Sequence, residues 1–165
     1  MSWITPADAQ TALEAALSHR PELLERYRAF YGSFWEDGLV PRQILELCRL
    51  RIAAIHDCDA EWQVRDAQVE LTPAQLAGLR SGRFDAFAED QRVALELAEQ
   101  LPFAHHAVTD AQVAAVQDLL GEPGCVSLLT ALAFFDVSCR LRLVLDLAAE
   151  SAALEQPPLR DGALL

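Results

Sequence analysis

The chain has 165 residues, 52% of them hydrophobic, and a formal net charge of −12. This is enough apolar length for one core without disulfides or metals, and it excludes a disordered chain. The acidity argues against nucleic acid and anionic membrane surfaces as partners, because both would repel it.

Lysine and asparagine are absent from the sequence. Without lysine there is no Schiff-base chemistry, no pyridoxal phosphate attachment and no P-loop. Cys48, Cys58, Cys125 and Cys139 are not closely paired, as expected in a reducing compartment. The opening MSWITPADAQ lacks a signal peptide's basic and apolar regions. No segment approaches the roughly 18 apolar residues of a membrane span, so the expected setting is cytoplasmic, with no membrane partner.

In chain order, Thr5-Pro6 reads as an N-cap followed by proline at the first helical position. Leu13, Ala16 and Leu17 follow at helical spacing. Pro21 opens a second helix bearing Leu23, Leu24, Tyr27 and Phe30. Pro41 precedes a third, from about Arg42 to Ile55, which buries Ile44, Leu47, Cys48, Ile52 and Ile55. Glu46 lies off that stripe, three residues before Arg49, a spacing that suits an ion pair worth a few tenths of a kcal/mol.

After His56, Asp57 is expected to cap a helix running to about Val69, with Cys58 in its first turn. The helix dipole there favours the thiolate. Asp57, Asp59 and Glu61 oppose it, and in this reading they prevail, leaving Cys58 protonated at neutral pH. Glu61 and Arg65 are four apart with the acid first. They either brace the helix or point into a pocket where Arg65 clamps a carboxylate.

Thr72-Pro-Ala-Gln75 and Thr109-Asp-Ala-Gln112 have capping-box spacing, with residues 81–87 a loop between them. Val93, Leu95, Leu97 and Leu101 mark a helix, and Gly121 closes the one that Thr109 opens. Cys125 to Ala149 is apolar on most sides and is expected to be a central buried helix, within which Asp136 and Arg140 satisfy each other. His56 and the acids after it are too contiguous for zinc and lack calcium's glycine turn, so neither metal nor cofactor is expected. The fold class is all-α, with six to eight helices in one domain over residues 1–155 and a flexible tail at 156–165.

The stretch ELCRLRIAAIHDCDAEW, residues 46–62, resembles the core motif of the carboxymuconolactone decarboxylase and alkylhydroperoxidase-D-like proteins. That motif runs Glu-Leu-x-x-Leu-Arg-(Val/Ile)-Ala and then C-x-x-C-x-x-x-H. Glu46, Leu47, Leu50, Arg51, Ile52 and Ala53 match the first part. Cys58 falls on the first cysteine, Glu61 on the second and Arg65 on the histidine. The flanks follow the family's order, so the resemblance covers about residues 20–148.

The resemblance implies the alkylhydroperoxidase-D-like helical fold, a symmetric homo-oligomer, and catalytic roles for Glu46 as proton relay and Cys58 as thiol. Glu61-Trp62 matches family variants that carry Glu-Trp in place of the second cysteine. A C-x-x-C disulfide is impossible here, so dithiol peroxidase chemistry is expected to be lost. What remains is a pocket of Glu46, Cys58, Glu61, Trp62 and Arg65 that binds or transforms a small, carboxylate-bearing molecule. Two alternatives stand beside it. One is a one-cysteine peroxidase in which Cys58 becomes a sulfenic acid resolved by an external thiol, and the other is a non-catalytic oligomeric module.

Overall fold

The computed structural model describes residues 11–147; the Thr5-Pro6 signal and the 156–165 tail lie outside them. Among the described residues there are seven α-helices and no strand. They are α1 (Ala12–Leu17), α2 (Pro21–Glu36), α3 (Arg42–Ile55), α4 (Asp59–Trp62), α5 (Pro73–Ser81), α6 (Glu89–Ala104) and α7 (Asp110–Val144). A single 3-10 turn, His105–Ala107, joins α6 to α7.

The local signals explain most of these boundaries. Pro21 occupies the first position of α2, and Pro41 caps α3 at the expected residue. Thr72 accepts from the Gln75 amide at 3.2 Å while the Gln75 side chain takes the Thr72 amide at 3.0 Å. The same reciprocal box starts α7 at Thr109 and Gln112. Gly121, at φ 70°, breaks α7 into two nearly continuous pieces, since that backbone angle is open to glycine without penalty.

The core is built around α3, which packs against α6 and α7 while those two pack on each other. Leu45, Leu47, Leu50 and Ile52 of α3 meet Leu95 and Leu97 of α6 and Leu128, Leu132 and Phe135 of α7, all essentially removed from solvent. Each such side chain contributes about 1.5–3 kcal/mol on burial. Every residue of α3 from Ile44 to Ala53 is buried, including Glu46, Arg49 and Arg51. The expected one-sided stripe is therefore a fully enclosed helix, and its charged residues need partners indoors. Arg51 finds its own in the Glu99 carboxylate of α6 and the Leu79 carbonyl of α5.

α7 departs from expectation the other way. Cys125, Leu128, Leu132, Phe135 and Cys139 face inward, but Val126 and Val144 are 66% and 72% exposed. By length and composition α7 is apolar enough to cross a bilayer, with half of its most apolar window buried inside the fold. In α2, Leu23 and Phe30 are also about half exposed, while Phe34 and Trp35 carry the packing.

Candidate functional site

α3 ends at Ile55 as expected, and the way it ends builds the site. Asp57 adopts the left-handed conformation at φ 50°. The Cys58 amide then bonds back to the Ala53 carbonyl at 2.9 Å, and the Asp57 amide to that of Ala54 at 3.3 Å. This double closure is a Schellman motif, so Asp57 stops α3 and does not cap the next helix. Cys58 becomes the N-cap of α4, which lasts only four residues. The expected helix to Val69 is absent, and Glu61 and Arg65 do not share one.

Arg49 is the hub that replaces it. Its side chain is fully buried and uses all five N–H donors. Nε and Nη2 each donate at 2.8 Å to the two oxygens of Glu46. Nη1 donates to the Glu61 carboxylate at 2.7 Å and to its carbonyl at 2.9 Å. Nη2 also reaches the Val64 carbonyl at 2.7 Å. The i, i+3 pair of Glu46 and Arg49 is thus present, but it sits indoors and includes a second acid.

The second oxygen of Glu61 lies 2.8 Å from Nε of Arg142 on α7. Burial pushes the Glu61 carboxyl up, yet Arg142 and then Arg49 outweigh it and hold it below the usual range. Glu46 also accepts the Asp66 amide at 3.1 Å, and Asp66 in turn meets Arg42 at 2.6 Å. Both Glu46 oxygens thus accept hydrogen bonds, from Arg49 and from the Asp66 amide. The acid beside the thiol is Glu61.

Cys58 is 1% exposed, and its Sγ lies 4.0 Å from the Cys139 carbonyl of α7. A hydrogen bond with the Cys139 thiol pulls the Cys58 pKa down, and burial opposes it. The Glu61 amide also favours the thiolate, the Glu61 charge disfavours it, and Arg142 favours it, leaving Cys58 at about 7. The Cys139 thiol shifts upward, since it holds its proton for Cys58 and is itself buried. Cys58 is therefore about half ionised at neutral pH, not mostly protonated as the sequence led us to expect. Asp57 is exposed, Asp59 is 68% exposed and turned to Arg80, and Glu61 is neutralised by two arginines. Cys48, expected in the core, is there, and burial alone raises its thiol.

Trp62 and Arg65 lie on the other side of α4. The Arg65 guanidinium sits 4.9 Å from the Trp62 ring centre, and Arg80 sits 4.0 Å from it. Arg65 donates to the Val64 carbonyl at 2.9 Å and pairs with no carboxylate among the described residues. At the far end of α3, His56 meets Asp136 at 2.6 Å, and Asp136 also pairs with Arg140 at 2.9 Å. That arginine is 48% exposed, so the pair borders the surface, not the interior as expected. Among the described residues no three of His, Cys, Asp and Glu converge as a metal ion would require.

Sequence reasoning missed Cys139 and Arg142. Both lie in a segment that is apolar on most sides, where nothing in the pattern sets either residue apart. Compared with known proteins, the chain matches no family model and no curated relative.

Proposed function

We propose that the chain is a divergent alkylhydroperoxidase-D-like protein that acts as a thiol peroxidase through Cys58. The observation that carries this reading is a buried Cys58 thiol held at about 7 beside Cys139, Glu61 and Arg142. At neutral pH about half of such a thiol is thiolate, the form that attacks a peroxide. The thiolate sulfur takes the distal oxygen of a hydroperoxide, which leaves as an alcohol or water, and Cys58 becomes a sulfenic acid. Free cysteines throughout the described region agree with a reducing, cytoplasmic setting. The test is hydrogen peroxide consumption by the reduced protein with thiol reductant, compared with Cys58→Ser. Equal rates in the two proteins would sink the reading.

A second reading keeps the pocket for a small carboxylate, because one observation favours it. Arg65 holds a half-buried guanidinium that pairs with no carboxylate among the described residues, and a second guanidinium, Arg80, meets the same Trp62 ring. An anionic ligand would neutralise that charge, with Arg65 offering parallel hydrogen bonds. Small mono- and dicarboxylates should raise the melting temperature of the wild type and not of Arg65→Gln. A shift of the same size in both would remove Arg65 from the site. The exposed Phe30, Val126, Val137 and Val144 support a homo-oligomer, to be checked by light scattering on the eluted protein.

A further inference from the structure

We infer that Cys139 is the resolving thiol of this protein, joining Cys58 in a disulfide between α7 and the N-cap of α4. The inference rests on Cys58 being the reacting thiol and names its partner, which lies 81 positions away in sequence. The Cys58 sulfur lies 4.0 Å from the Cys139 carbonyl, which brings the two residues into contact. Neither residue is more than 1% exposed.

A matched spacing holds them there. Glu61 follows Cys58 by three residues, and Arg142 follows Cys139 by three, one turn along α7. The 2.8 Å pair between Glu61 and Arg142 therefore clasps the two segments one turn from the sulfurs. On the opposite side Arg49 grips both the carboxylate and the carbonyl of Glu61, so α4 is fixed to α3 as well. Cys58 itself sits at the N-cap of α4, in the turn between that helix and α3.

The other thiols are worse placed. Cys125 precedes Cys139 by fourteen residues on α7, about 21 Å at the helical rise. Cys48 lies on the enclosed α3, where burial is the one influence on its thiol.

The step balances without a further oxidant. A hydroperoxide oxidises the Cys58 thiolate to a sulfenic acid and leaves as the alcohol, or as water when the oxidant is hydrogen peroxide. Cys139 then gives up its proton, its sulfur attacks the Cys58 sulfur, and the sulfenic hydroxyl departs with that proton as water. Two thiols lose two electrons and the peroxide gains them. An external thiol reductant restores both cysteines by exchange.

The experiment treats the reduced protein with one equivalent of hydrogen peroxide, in the presence and absence of dimedone, and maps the peptides by mass spectrometry. Wild type should give the Cys58–Cys139 linked peptide, with two hydrogens lost and little dimedone adduct. Cys139→Ser and Cys139→Ala should both give a Cys58 dimedone adduct and no linked peptide. The pair of variants guards against one that fails to fold. A persistent Cys58 adduct in the wild type, or a Cys48–Cys58 link, would overturn the role of Cys139 while leaving Cys58 as the reacting thiol. Cys58 unmodified in all three proteins would overturn both.

Discussion

Cys48 and Cys58 stand ten residues apart in sequence, at 0% and 1% exposure, and their thiols go in opposite directions. Burial pushes Cys48 up, and nothing answers it. Cys58 is just as enclosed, but the Cys139 thiol, the Glu61 amide and Arg142 bring it to about 7 against burial and the Glu61 charge. Burial by itself always disfavours the charged form, so a reactive thiol in a core requires partners that prefer the thiolate. The comparison also shows why charges counted along the chain mislead: two of the acids flanking Cys58 face solvent, and the third is already paired.

The comparison depends on Arg49, so the largest effect is expected there. Arg49→Met leaves Glu46 and Glu61 buried with an uncompensated charge, which should cost about 3–5 kcal/mol of stability. For a domain of this size that is a fall of roughly 10 °C or more in melting temperature. Adding Glu46→Gln and Glu61→Gln to it should recover much of the loss. A single variant that melts within a degree or two of wild type would mean that the network is not closed as described.

Removing Cys139 tests the other half. Cys139→Ala, which removes the donor, should return the Cys58 midpoint, followed by thiolate absorbance, from about 7 toward its ordinary 9.0. At pH 7 the thiolate fraction would then fall from about one half to about 1%. Cys48→Ser should leave the titration where it was. If Cys139→Ala titrates like wild type, the two cysteines differ for some reason other than the partner thiol.

The same shift fixes the direction of a pH dependence. The folded Cys58 pKa, about 7, lies below the unfolded value of 9.0, so its ionisation stabilises the fold. That contribution is fully present above pH 9 and is lost as pH falls through 7, and it amounts to at most about 2.7 kcal/mol. Cys139 works in the opposite sense, because its folded thiol keeps the proton and the unfolded one releases it as pH passes 9. The unfolding free energy from urea titrations should therefore rise from pH 6.5 to 8.5 by roughly 1–2 kcal/mol in wild type and stay flat in Cys58→Ser. A flat wild-type profile would contradict the lowered thiol.

Much of the fold was legible because its signals are local. The start of α3 at Arg42, its end at Ile55, the Thr72 and Thr109 boxes and the Gly121 break each depend on residues within a turn of one another. The site was legible only in part. Glu46 and Arg49 are a helical spacing apart, but that the whole helix is enclosed depends on α6 and α7 arriving from later in the chain. Asp57 resembles an N-cap in sequence and acts as a left-handed helix stop, a role glycine usually fills; Asp146 does the same after α7. α4 ends at Trp62, so Arg65 lies beyond the helix that holds Glu61. Cys139 and Arg142 lay in a segment whose apolar pattern announced a core and gave no reason to single out either residue.

The smallest expected effect separates the two ways of counting charge. Asp59 is adjacent to Cys58 in sequence, and if neighbouring acids set the thiol, Asp59→Asn should lower its midpoint clearly. In the fold its carboxylate is 68% exposed and 3.3 Å from Arg80, a surface pair worth less than about 1 kcal/mol. Water screens what remains of its field at the sulfur, which is enclosed on the α7 side of the turn. Thiolate titration of Asp59→Asn should therefore overlay wild type within about 0.3 of a pH unit, and the melting temperature should move by no more than about 3 °C. Glu61→Gln, three residues into the same cluster, should disturb both far more, because it breaks the contacts with Arg49 and Arg142. Equal responses from the two acids would return the control of Cys58 to the linear charge cluster and take it away from the clasp.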